Sequence, residues 1–176
     1  MIERLALSIA TSIKKVDAEQ TPSIEVMKFS LITILHTLTT VLIVFILSFI
    51  TGKPLATMAG MGYFMLLRFF SGGYHIHSST LCTVLSVLLM CAAPFIPLGD
   101  RWILIANLVN LLMMLLFSPS NIKGFAQIPE KYFPILKLVS MAIVSTNFWF
   151  HSPTLAVVAI FQSILLLFKQ KGGESA

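Results

Sequence analysis

Leu31 to Ile50 reads LITILHTLTTVLIVFILSFI. An α-helix rises about 1.5 Å per residue, so a run of this length makes a rod of about 30 Å, the thickness of a bilayer's hydrocarbon core. In lipid, a single segment satisfies its own backbone hydrogen bonds only as a helix. The stretch therefore predicts a transmembrane helix, and the rest of the chain is read on that footing.

Composition supports the reading. Hydrophobic residues make up 57% of the 176 residues and charged residues 11%, and the mean hydropathy is +0.92. A soluble domain carries about 25% charged residues. So few charges cannot coat a globule of this size, which excludes a water-soluble domain. The net charge of +5 does not point to nucleic acid. The basic residues are scattered and flank apolar runs, where they act as topology determinants. Two Cys are too few for a disulfide scaffold.

On the N-terminal side of Leu31, residues 1–30 mix acids and bases and lack a continuous apolar core, so no cleavable signal peptide is expected. Ile2, Leu5, Ile9, Ile13 and Val16 recur at steps of three or four. That spacing fits an amphipathic helix lying on the membrane surface, or one packed on the protein's own cytoplasmic face.

On the C-terminal side, Thr51 to Pro54 (TGKP) breaks the helix, and five more apolar runs follow. They are Leu55–Phe70, Leu81–Leu98, Trp102–Phe117, Tyr132–Phe150 and Thr154–Phe168. The second and sixth runs are short, and suit tilted, re-entrant or interfacial helices as well as full spans. Ala56 and Gly60 have the small-xxx-small spacing that lets helices approach closely, and such faces suit a homodimer. Ser118–Lys131 (SPSNIKGFAQIPEK) is the longest polar loop between runs.

The expected fold is an all-α membrane protein with about six transmembrane helices and an N-terminal amphipathic interfacial helix. It divides into an N-terminal segment (1–30), a polytopic domain (31–169) and a short tail (170–176). Six spans put both termini on one side. If that side is the cytoplasm, the inside set is Arg4, Lys14, Lys15, Lys28, Arg68, Lys123, Lys131, Lys137, Lys169 and Lys171, and the outside set is Lys53 and Arg101. The positive-inside rule favours this orientation. No internal repeat is visible, which argues against an inverted-repeat transporter.

Residues 68 to 82, RFFSGGYHIHSSTLC, gather the scarce reactive groups. Cys82 is the strongest nucleophile of the stretch once ionised, and a neighbouring His can take its proton and return it to a leaving group. His75 and Cys82 on one continuous helix would lie about 10 Å apart along the axis, too far for proton transfer. The chain must turn back between them. Gly72 and Gly73 supply the necessary backbone freedom. Ser78 or Ser79 can cap the next helix. Cys82 then falls in or near a first helical turn, where the dipole and free N–H groups favour a thiolate and can hold an oxyanion. His77 is a second candidate base, and spacing does not choose between it and His75.

Arg68 is a snorkelling anchor that can also hold a carboxylate or a carbonyl. No Asp or Glu occurs between Glu25 and Asp100, so a carboxylate orienting the His is missing nearby. Asn107, Asn110, Gln127 and Asn147 are the amides that could take that role. Asn107 and Asn110 share a helix face and are equally suited to interhelical hydrogen bonding. Cys91, nine residues after Cys82, falls on the opposite face of a helix. His75, His77 and Cys82 also make a possible zinc set, with no evident fourth ligand.

The pattern Arg68, Gly72-Gly73-Tyr74-His75 and then Cys82 resembles the AgrB family of Gram-positive bacteria, membrane-embedded cysteine endopeptidases that process quorum-sensing propeptides. The resemblance extends to the overall length, the N-terminal amphipathic segment and the Pro- and Lys-containing loop after the fourth run. It implies that Cys82 is the nucleophile and His75 its base, with no cofactor. Arg68, Gly72, Gly73, His77 and Ser79 take supporting places. The implied substrate is an AgrD-like precursor peptide, cut at its C-terminal tail through a thioester acyl-enzyme and closed into a thiolactone or lactone. The implied location is the bacterial cell membrane, with the active site and both termini cytoplasmic. Two rival readings are a small transporter exporting a signalling peptide and a metal-binding membrane subunit.

Overall fold

The structure is a computed structural model and describes residues 2–17, 21–74, 79–121 and 129–168. The helices are α1 (Ile2–Val16), α2 (Ile24–Ile50), α3 (Pro54–Ser71), α4 (Ser79–Ala92), α5 (Asp100–Phe117), α6 (Phe133–Phe150) and α7 (Pro153–Leu167). Single 3-10 turns, Ala93–Phe95 and Glu130–Tyr132, follow α4 and precede α6. Among the described residues there is no strand, only an isolated bridge between Gly72 and Ser120.

The chain divides into two compact units, Met1–Ile43 and Val44–Ala176. In the first unit, α1 is strongly amphipathic, with Glu3 in its first turn and Lys14 and Lys15 in its last. Those charges complement the helix dipole. Ala6 and Ala10 are fully buried, while Leu5, Ile13 and Val16 are exposed. Lys14 Nζ donates to the Thr21 carbonyl at 2.8 Å, and the Val26 N–H reaches Ser23 Oγ at 3.4 Å at the start of α2. Along α2, Ser30, Thr33, Thr37, Thr39 and Thr40 each return their hydroxyl proton to the carbonyl four residues back. A helix in lipid has no water to satisfy such groups, and this local bond serves instead.

In the second unit four helices close a ring. α3 packs on α6 and α7, and α5 packs on the same two. Leu67, Met114, Val144 and Val158, one from each helix, are completely buried. Gly60 of α3 faces α7, and a Cβ there would stand 3.2 Å from Thr154 Cγ2 and 3.4 Å from Val158 Cγ2. The Gly60 position is thus occupied within the chain. Tyr63 donates to the Ile143 carbonyl at 3.1 Å, joining α3 to α6. α4 lies outside the ring, against α3 and the turn that follows it.

A polar seam runs through α5, α6 and α7. Asn147 Nδ2 donates to Asn107 Oδ1 at 2.9 Å, and Asn147 Oδ1 accepts the Ser152 N–H at 3.0 Å. Asn110 Oδ1 accepts from Ser163 Oγ at 3.0 Å. These Asn are buried, and their pairing is the interhelical bonding expected for Asn107 and Asn110.

All six apolar runs are helical. By length and composition α2, α5 and Glu130–Phe150 are able to cross a membrane, and Thr80–Phe95 and Pro153–Leu167 are shorter apolar helices. α2 spans about 40 Å at 1.5 Å per residue. α3 has the length of α5, but its Gly residues, Thr57 and Arg68 dilute its hydropathy. The third run ends earlier as a helix than as an apolar stretch. Pro94 has no N–H to donate and its ring opposes the carbonyl four residues back, so α4 stops at Ala92 and passes into a 3-10 turn.

Candidate active site

The site is built where α3 ends, α4 begins and α7 finishes. α3 stops because Gly72 takes φ 70°, ψ −137°, a conformation closed to other residues. Gly73 follows at φ 119°. The expected glycine joint is therefore present. The Gly72 N–H still bonds to the Arg68 carbonyl at 3.0 Å.

Each peptide unit beyond this point is held by hydrogen bonds from other parts of the chain. The Gly73 N–H donates to the Ser120 carbonyl at 2.9 Å, and the Ser120 N–H returns a 2.9 Å bond to the Ser71 carbonyl. The Tyr74 N–H donates to the Leu165 carbonyl at 2.9 Å, using one of the acceptors that a helix C-terminus leaves open. Arg68 Nη2 donates to the Tyr74 carbonyl at 2.6 Å. Gln162 Nε2, from α7, donates to Ser71 Oγ at 2.8 Å and to the Gly72 carbonyl at 2.7 Å. Asn121 Nδ2 donates to the Phe168 carbonyl at 2.8 Å, and the Tyr74 and Phe168 rings lie 6.0 Å apart.

Arg68 is half-buried in the last turn of α3. Its Nη1 is buried without a hydrogen-bond partner among the described residues, and its charge lies within electrostatic reach of Cys82. Cys82 is a free, half-buried thiol and the fourth residue of α4, which opens at Ser79. It therefore sits in the first turn, where backbone N–H groups have no helical acceptor. Cys91 is also free and half-buried, and the unbroken helix puts it half a rotation away from Cys82.

At the joint the structure brings Arg68 together with Gly72 and Gly73, and Cys82 lies within electrostatic reach of Arg68. His75 and His77 lie outside the described residues, as does Gln127. Asn107, Asn110 and Asn147 bond to one another's surroundings in the seam rather than at the joint. Among the described residues no three His, Cys, Asp or Glu group closely enough to hold a metal ion. Sequence reasoning missed Gln162, although a lone amide inside the apolar run TLAVVAIFQSILLLF is the kind of intramembrane polar group that marks a site. The bonds from Ser120 and Leu165 run through backbone atoms and leave no side-chain signal.

A sequence profile for AgrB, accessory gene regulator B, matches residues 2–170. An AgrB-like protein of Halalkalibacterium halodurans is 38% identical over 106 residues, covering 59% of this chain and 54% of that protein. One of Listeria welshimeri is 31% identical over 119 residues, covering 65% of this chain and 58% of its own length. One of Listeria monocytogenes serotype 4a is 28% identical over 123 residues, covering 67% and 54%. The chain thus spans a little over half the length of these relatives. No solved structure matches it. With the family profile running from residue 2 to residue 170, the chain belongs to the AgrB family.

Proposed function

We propose that this protein is a membrane-embedded cysteine endopeptidase of a quorum-sensing system, acting on an AgrD-like propeptide. The observation that carries the reading is Cys82: a free thiol in the first turn of α4, within reach of the Arg68 charge, in a chain of the AgrB family.

In this reading His75 takes the Cys82 proton and the sulfur attacks the scissile carbonyl of the precursor. The first-turn N–H groups of α4 receive the developing oxyanion. Collapse of the tetrahedral intermediate breaks the C–N bond, and the proton held by His75 goes to the amine of the departing C-terminal tail. A thioester to Cys82 remains. A thiol or hydroxyl within the precursor then attacks that thioester, gives its proton to His75 and closes a thiolactone or lactone, and Cys82 recovers its proton. A site at the membrane interface keeps water from the thioester. Arg68 is suited to an acidic tail as well as to the thiolate.

The same reading places six helices across the bacterial cell membrane, with the site and both termini cytoplasmic, and lays α1 in the interface. The asymmetry of Lys and Arg supports the orientation. The amphipathic face of α1 supports the interfacial placement.

The test is reconstitution in liposomes with a candidate precursor, and mass spectrometry for the released tail. Cys82→Ala and His75→Ala each abolish release, and Cys91→Ala leaves it largely intact. Tail release by Cys82→Ala at the normal rate would sink the reading. Release that needs added zinc and stops with a chelator would transfer the chemistry to a metal site.

A further inference from the structure

We infer that Gln162 is a positioning residue for this chemistry: its amide, reaching from α7, holds the Gly72 carbonyl and so sets the direction in which the chain leaves Tyr74 for His75. The inference rests on the Cys82–His75 reading above.

An amide is costly at this position. Gln162 has no exposure to solvent. Its Nε2 makes two bonds, at 2.8 and 2.7 Å, but its Oε1 is buried with no partner among the described residues. A buried acceptor left unsatisfied costs about 1–3 kcal/mol. A Leu would pack in α7 without that cost, as Val158, Ala159 and Leu166 do on the same helix. Packing therefore does not account for the amide, whereas its two acceptors do.

Three successive peptide units lead from α3 to His75, and each is held. The Gly72–Gly73 unit is fixed at both ends of its dipole, its carbonyl by Gln162 and its N–H by Ser120. The Gly73–Tyr74 unit gives its N–H to Leu165. The Tyr74–His75 unit gives its carbonyl to Arg68. Paired glycines have the widest backbone freedom of any dipeptide, so the first unit is the one that most needs restraint. Gln162 is its one side-chain anchor among the described residues. The fit is close, since a Cβ on Gly73 would stand 3.3 Å from both Gln162 Nε2 and Arg68 Nη1. Without the amide the Gly72–Gly73 unit can rotate, and the direction of everything after it changes.

The experiment uses the full chain in liposomes, in a Cys91→Ala background so that Cys82 is the sole thiol. Gln162→Met keeps length and removes both donors. The expected result is a fall in kcat of about ten- to a hundredfold, the scale of an ångström's misplacement, with KM unchanged. The midpoint of the curve of Cys82 alkylation against pH moves toward that of His75→Ala. The double variant with His75→Ala alkylates as His75→Ala alone, because Gln162 acts through that His. A wild-type kcat in Gln162→Met overturns the inference, as does a further shift in the double variant. If Gln162→Met does not yield folded protein, Ser71→Ala, which removes one of the amide's two acceptors, moves the midpoint in the same direction. An unmoved midpoint there overturns the inference too. Tail release by Cys82→Ala instead removes the endopeptidase reading itself, whatever the Gln162 variants do.

Discussion

At the scale of single residues, Gly73 is the most constrained position of the site. It sits at φ 119°, where an L side chain is strained by about 1–3 kcal/mol. An added methyl meets Arg68 Nη1, Gln162 Nε2 and, at 3.6 Å, Leu165 Cβ. The first two are the tips of side chains that hold the joint, so relief of the clash displaces the anchors themselves. Gly73→Ala is therefore expected to lose tail release almost completely while lowering the melting temperature in detergent by only a few degrees. A variant that cleaves at the normal rate would show that the joint tolerates rearrangement. Much of this was legible beforehand. A Gly pair between a helix and two His announces a turn, and Ser78 or Ser79 just ahead of Cys82 announces a helix start. The anchors were not legible, because Ser120 and Leu165 act through carbonyls, which every residue has.

At the scale of elements, the contact between α3 and α7 matters most, because α7 carries the bonds to the joint. Gly60 is where the two helices come closest. Replacing it with Val forces Thr154 and Val158 aside, and overpacking of this kind costs about 1–3 kcal/mol. Gly60→Val should lower both the melting temperature and the rate of tail release, whereas Gly62→Ala, whose added methyl meets nothing within 4 Å, should change neither. Equal behaviour of the two variants would mean that the α3–α7 distance is immaterial. The helices themselves were readable from apolar runs, but their ends were less so. α2 begins at Ile24, seven residues before the apolar run, because Glu25 and Lys28 are compatible with helix and long side chains can reach water from it. Charges mark where a membrane would end, not where a helix does. Pairing of helices was beyond the sequence, because apolar residues on every face give no orientation when lipid and core are equally oily.

At the scale of the molecule, orientation is the claim with the widest consequences. Arg101 and Lys131 are both exposed and fall on opposite sides in the proposed topology. In a background lacking Cys82 and Cys91, an impermeant maleimide added to intact cells should label Arg101→Cys and leave Lys131→Cys unmodified until the membrane is opened. The reverse pattern would put the site outside the cell and exclude a precursor made in the cytoplasm.

The tie between Tyr74 and α7 has a consequence in time. The carbonyls of Leu165 and Phe168 that receive Tyr74 and Asn121 lie at the end of α7 and are made long after α3 and α4. The amide of Gln162 arrives with them. Cys82 and its glycine joint are synthesised some eighty residues earlier, yet the joint cannot lock until those late residues have emerged and docked. A nascent chain halted before α7 would carry the nucleophile without its frame. Under the proposed chemistry, synthesis order would hold Cys82 without its frame until α7 has docked.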